Sequence, residues 1–167
     1  MIDTKIGGKH ETRNSFKSLY NLREVELIRS FLHVLRRKKV NMERVAVITM
    51  YKAQKEMLRG KLGWIGSLVE VATVDSYQGR ENDVIIISTV RSNANNSVGF
   101  LNDRGRINVA MTRAKKLCVL VCDSSTLEGT TEGEGFLERF VTYFRENGVV
   151  WDNKIGLKVK GYANQYF

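Results

Sequence analysis

From Asn21 onward the apolar positions fall at helical spacing. Leu27, Phe31 and Val34, with Ile28, Leu32 and Leu35, share one side, while Arg29, Arg36 and Arg37 take the others. The β-branched run Arg44–Thr49 then predicts a strand, and "KAQKEMLRGKL" a second helix. Two more strands follow, Val69–Val74 and Asp83–Val90, joined by a polar, glycine-containing stretch. "SNANNSVG" reads as a loop by composition, and "RGRINVAMTRAKK" as a helix with Ile107, Met111 and Ala114 on one stripe. Leu117–Asp123 predicts a buried strand. The loop "EGTTEGEG" leads to a helix over "FLERFVTYFRENG", with Gly148 as its cap. "MIDT" reads as a short apolar piece, "KIGGKHETRNSFKS" as a loop, and the tail from Val149 as holding a short strand.

Helices alternating with apolar strands predict βαβ units and a mainly parallel sheet covered on both faces, in one domain. Ligands of such sheets sit at the carboxyl ends of the strands. That draws attention to the connection leaving Val74, where Asp75, Gln78, Arg80, Glu81 and Asp83 crowd the mouth of an apolar strand.

Composition narrows the class. Hydrophobic residues are 43% of the 167, which argues against disorder, and no apolar run approaches the roughly 20 residues of a membrane span. The start "MIDTKIGGKH" lacks the apolar core of a signal peptide, so the expected location is cytoplasmic or nuclear. Cys118 and Cys122 fall on one face of a strand as small core hydrophobes, and the histidines lie far from them, so no metal is expected. The net charge of +9 suits an anionic partner such as nucleic acid or nucleotide, and equally plain solubility.

There is no GxxxxGK[ST] loop in the chain, no acidic pair after an apolar strand and no HExxH or GxSxG, so a self-contained catalytic site is not encoded here. Two arginines remain. On the predicted helix Arg106 and Arg113 lie seven residues apart, on similar faces and about 10.5 Å along the axis. Their planar forks suit phosphate oxygens, and a solvated basic face is the alternative.

"VATVDSYQGRENDVIIISTVRSN" followed by "GFLNDRGRINVAMTRAKKLCVLVCD" closely resembles motifs V and VI of the Upf1-like group of superfamily 1B helicases. "RVAVITMYKAQKEML" resembles motif IV, with Met50 in the place of its usual proline. "SLYNLREVELI" resembles the Ser-x-x-Asn-x-x-Glu helix start of the group, and "IDT" the first strand of its second RecA-like domain. The ending "VCDSSTL" with "FLERFVTYFRENGVV" is most similar to the immunoglobulin mu-binding protein 2 type of helicase. The resemblance covers residues 1–150, and the extension 151–167 matches nothing in the group.

The resemblance implies a RecA-like, three-layer α/β/α domain of the P-loop NTPase type that lacks its own P-loop. It implies ATP with Mg²⁺ as cofactor, bound between this domain and a first RecA-like domain that carries the Mg²⁺ ligands. Arg113 takes the position of the arginine finger. Gln78, Gly79, Arg80 and Glu81 take nucleotide-binding positions, with Glu81 reaching the ribose hydroxyls; Arg80 could instead form a salt bridge with Glu81 or Asp83. Thr49, Tyr51 and Gln54, with Thr73, Asp75 and Ser76, take positions facing single-stranded RNA or DNA, and Tyr51 could equally be a packing residue. The Gln-Tyr-Arg-Met-His motif that precedes "IDT" in the group is missing, so the chain reads as a fragment, inactive alone. A non-catalytic nucleic-acid- or partner-binding module of the same shape is the alternative.

Overall fold

A computed structural model describes residues 1–5 and 10–150 of the chain; the strand expected in the tail lies largely outside them. Among the described residues there are seven strands: β1 (Ile2–Asp3), β2 (Glu11–Arg13), β3 (Leu19–Asn21), β4 (Val45–Thr49), β5 (Glu70–Thr73), β6 (Asn82–Ser88) and β7 (Ala114–Cys122). The α-helices are α1 (Leu22–Arg37), α2 (Lys52–Lys61), α3 (Arg104–Met111), α4 (Ser124–Glu128) and α5 (Phe136–Asn147). The five-stranded sheet has the order β1-β7-β6-β4-β5, and every pairing in it is parallel.

Each central strand is apolar on both sides. In β6, Val84 and Ile86 pack with Val25, Ile28, Leu32 and Leu35 of α1 and with Leu58 of α2. Ile85 and Ile87 point the other way, onto Ile107 and Ala110 of α3 and Leu137, Phe140 and Val141 of α5. A strand desolvated on both faces carries its apolar residues without alternation, the pattern read for Val84–Ile87. Cys118 and Cys122 both pack on the α3/α5 face, as their even spacing required. Burial pushes the Cys118 thiol up to about 12, and that of Cys122 well above its usual value.

Three expectations need correction. The helix expected over "RGRINVAMTRAKK" ends at Met111, and Ala114 opens β7. Arg113 is therefore in a turn, and it shares no helix face with Arg106. The supposed loop before α1 contains the antiparallel hairpin β2–β3. Gly148 does follow α5, but in an extended conformation (φ −140°), so the helix ends without a left-handed cap.

The link between β5 and β6 determines where the site lies. Both strands pair with β4 in parallel, so residues 74–81 must return from the carboxyl edge of the sheet to its amino edge. Parallel crossovers normally need about a dozen residues or more, folded as a helix. This one is shorter and crosses the face directly, its Tyr77 1% exposed among Ala72, Ile85 and Ile87.

Candidate nucleotide and nucleic-acid site at the two edges of the sheet

Because the crossover runs the length of the sheet, its two ends reach different places. Across the length of β6, the edges lie roughly 20 Å apart. At the amino edge Gly79 takes a left-handed turn (φ +81°) with open space around it, and Gln78, Arg80 and Glu81 are exposed. The Asn82 amide donates to the Arg113 carbonyl at 3.0 Å, which places the α3–β7 turn beside this end of the crossover. Glu81 pairs with Lys115 at 2.6 Å.

Arg113 is half-buried. Its Nε donates to the Val109 carbonyl at 3.1 Å and its Nη2 to Thr112 Oγ1 at 3.0 Å. Among the described residues no carboxylate pairs with it. The guanidinium is thus aimed by its own helix end and keeps its charge uncompensated.

Arg80 adopts neither of the salt bridges anticipated for it. It pairs with Glu70 on β5, donates to the Ser76 carbonyl and lies 4.7 Å over the Tyr77 ring. Asp83 takes Lys116 at 2.9 Å and Arg44 at 3.9 Å instead, and the Lys116 contact holds its carboxyl below the ordinary value.

At the carboxyl edge, the hydroxyls of Thr73 and Ser76 bond each other at 2.9 Å, and each accepts from the other's amide. Asp75 is exposed and holds Arg106, Oδ1 to Nε at 3.0 Å. Arg106 is therefore tied to the carboxyl-edge end of the crossover, while Arg113 lies beside the amino-edge end.

Motif IV is distributed differently from the expectation. Thr49 and Gln54 are fully buried. Gln54 accepts from the Asn21 amide at 2.8 Å and donates to the Asn21 carbonyl at 3.3 Å and to Ser88 Oγ at 2.9 Å. Its amide is used up inside the fold, so the side chain has nothing left for a strand of nucleic acid. Tyr51 is 4% exposed, packs a tilted ring on Phe100 at 5.6 Å and has its hydroxyl pKa raised by burial. The packing alternative for Tyr51 thus has direct support.

The largest feature that sequence reasoning missed is Glu24, fully buried on α1. Its carboxyl accepts from Ser88 Oγ at 2.5 Å, Thr89 Oγ1 at 3.2 Å and the Val90 amide at 2.9 Å. Asn21 caps α1 by accepting from the Glu24 amide and donates to the Val90 carbonyl at 3.0 Å. Between them, Asn21 and Glu24 hold Val90 at φ +71°, a left-handed conformation costly for a β-branched residue. Burial raises the Glu24 carboxyl to about 8 against the hydrogen bonds that favour its charge. The Ser-x-x-Asn-x-x-Glu spacing was the available signal: Ser18 Oγ accepts from the Ala53 amide at 3.2 Å, so all three residues bind the carboxyl edge.

Among the described residues no cluster of His, Cys, Asp or Glu is placed to hold a metal, and no helix is long and apolar enough to cross a membrane.

Comparison with known proteins identifies the family. A family described as AAA domain matches residues 1–125. The chain is 38% identical over 151 residues to DNA-binding protein SMUBP-2 of Mus musculus, covering 90% of this chain and 15% of that protein. It is 42% identical over 108 residues to DNA polymerase alpha-associated DNA helicase A of Schizosaccharomyces pombe, covering 65% and 16%. A regulator of nonsense transcripts 1 homolog of Drosophila melanogaster is 36% identical over 127 residues, covering 72% and 11%. The chain thus spans less than a fifth of the length of each of these relatives. With the all-parallel sheet, the short crossover without an α-helix and the motif order in place, the chain belongs to the AAA domain family and is an Upf1-like superfamily 1 helicase domain.

Proposed function

We propose that this chain is the second RecA-like domain of an ATP-dependent helicase acting on RNA or DNA, and that it supplies half of two sites. One observation carries the reading: residues 74–81 join the two edges of the sheet, so that one short segment borders both the Arg113 turn and the Thr73–Ser76 turn.

At the amino edge, Arg113 stabilises charge on a phosphoryl group presented by a first RecA-like domain, Glu81 accepts from ribose hydroxyls, and the open turn at Gly79 lets the backbone approach. ATP with Mg²⁺ supplies the phosphoryl group and the energy of its transfer. Exposed Glu81 and unpaired Arg113 fit such a ligand, because neither is committed to a buried partner. Gln78 and Arg80 flank the same turn.

At the carboxyl edge, Thr73, Asp75 and Ser76 face the backbone of a single strand, above Tyr51. Thr49 and Gln54 secure the strand end beneath them. Phosphate contact predicts little sequence preference and strong salt dependence. Movement along the strand follows from opening and closing of the cleft between the two domains, and the resemblance implies 5′ to 3′ polarity. The relatives' names include DNA binding and DNA helicase, which suits this edge.

The test is Arg113→Ala in the full-length protein. ATP hydrolysis falls about 10³- to 10⁵-fold while single-strand binding and melting temperature hold. Hydrolysis close to wild type refutes the assignment. This chain alone hydrolyses no ATP; sustained hydrolysis by it, free of contaminants, supports a self-contained enzyme instead.

A further inference from the structure

The β2–β3 hairpin carries a side chain that the fold does not use. Phe16, at its tip, is 88% exposed, the highest value among the large hydrophobic residues described. The turn beneath it is firmly built. Asn14 Oδ1 accepts from the Phe16 amide at 3.1 Å and the Ser18 amide at 2.9 Å, and the Asn14 amide donates to the Ser18 carbonyl at 2.9 Å. Lys17 completes the turn in the left-handed region, φ 62°. A ring displayed in water on so well-bonded a support loses apolar burial that a polar residue would not forfeit.

The hairpin is also anchored at its base. The Glu11 carboxylate accepts from Arg91 Nε at 3.0 Å, the Ser92 amide at 2.8 Å and Asn93 Nδ2 at 3.0 Å. Between the hairpin and the turn at residues 99–100 lies an open cavity of about 500 Å³, whose lining includes Arg13, Phe16, Lys17, Tyr51, Arg91 and Phe100. Phe100 is 57% exposed and rests on the Tyr51 ring. Gly99 makes its presentation possible: at φ +54° an added Cβ would lie 2.8 Å from Arg91 Nη1.

The chemistry of the lining selects its occupant. Two exposed rings offer flat apolar faces, and Arg13 and Lys17 add positive charge beside them. No carboxylate is among the lining residues, because Glu11 lies behind Arg91 and neutralises it. A purely apolar partner would leave Arg13 and Lys17 without a counter-charge, and a simple anion would leave the rings in water. A nucleobase with its backbone phosphate satisfies both. The cavity adjoins the proposed strand path: Arg106, the partner of Asp75, lies 5.5 Å over the Phe100 ring.

We propose that this cavity is a stacking subsite for one unpaired base of the bound single strand. Phe16 and Phe100 take the base, and Arg13 and Lys17 the flanking phosphate. The inference rests on the single-strand reading above and adds to it a base-dependent contact that phosphate binding does not require.

The test titrates this chain at low salt with a labelled oligothymidylate and with an abasic oligomer of equal phosphate number. The wild type favours the base-bearing strand by about 5- to 150-fold, the value of one stacked base. Phe16→Ala removes most of that preference and leaves abasic binding and its salt dependence intact; being so exposed, Phe16 is dispensable for folding. Phe16→Trp keeps the preference, and its added indole emission is quenched on binding the base-bearing strand but not the abasic one. A wild type without base preference, or a Phe16→Ala variant with unchanged preference, overturns the subsite while the phosphate reading stands. An absence of salt-sensitive binding to either oligomer overturns the single-strand reading itself, and the subsite with it.

Discussion

At the carboxyl edge of the sheet, beneath the exposed Thr73–Ser76 turn, a set of polar side chains is buried and bonded to one another; at the amino edge the charged side chains are exposed and bonded to neighbours that water can replace. Asn21, Glu24, Gln54 and Ser88 are all fully buried and joined in one network. Beside it Asp3 accepts from the Ser124 amide and hydroxyl, and Asp123 from Ser92 and Thr126. At the other edge, Lys115–Glu81 is 47% and 57% exposed and Arg80–Glu70 48% and 36%. Exposed pairs of this kind contribute about 0–1 kcal/mol each, so a triphosphate can displace them readily. Buried polar groups have no such freedom, because losing a partner leaves them desolvated. The buried network at the carboxyl edge is thereby a scaffold that holds Val90 and the strand ends in place, and the amino edge a set of charges available to a ligand.

The sharpest way to break the contrast is to remove one residue from each edge. Arg113→Ala is expected to leave the melting temperature unchanged and to abolish hydrolysis in the full-length protein, by about 10³-fold or more. Glu24→Ala should do the opposite kind of damage. It leaves the Ser88 hydroxyl and the Val90 amide without an acceptor, while the Thr89 hydroxyl keeps the Val121 carbonyl, at a cost on the order of 2 kcal/mol or more. Denaturant unfolding measures it, and a loss under about 1 kcal/mol shows the buried network to be dispensable.

The same network predicts a pH dependence. The Glu24 carboxyl ionises near 4.5 in the unfolded chain and at about 8 in the fold, so between those values the folded state holds a proton that the unfolded state releases. Stability from this group is full below about 4.5, falls as pH rises through the window by up to about 1.4 kcal/mol per unit, and levels off above about 8. Glu24→Gln keeps a neutral side chain and flattens that slope; urea midpoints across the window show whether it does. The smallest effect is expected at Arg80→Ala, which removes a half-exposed pair with Glu70 and costs less than about 1 kcal/mol by thermal unfolding. A larger loss there would mean that the amino edge is structural as well.

Much of the architecture was legible along the chain. The helical spacing from Leu22, the two-sided apolar run Val84–Ile87 and the even spacing of Cys118 and Cys122 each follow from local periodicity, and the structure contains all three. The helix end at residues 111–114 was not legible. Ile107, Met111 and Ala114 continue a helical stripe, yet Asn82 pairs with Ala114 and its amide bonds the Arg113 carbonyl, so sheet pairing takes those residues. The β2–β3 hairpin was missed because its strands are three residues each and largely polar, and its anchor, Glu11, bonds residues some eighty positions later.

For the candidate site the division follows the same physical line. The sequence by itself determined which residues carry charge, the order of the motifs and the apolar strands between them, since these depend only on residue type and spacing. Only the tertiary structure decided which polar groups are used inward and which remain for a ligand. Gln54 and Arg113 are both polar residues near an apolar strand, and nothing local separates them. One is closed off by Asn21 and Ser88, brought in from distant segments, and the other is left uncompensated at a turn. Desolvation and hydrogen-bond partnership are properties of the assembled sheet, and no window of residues contains them.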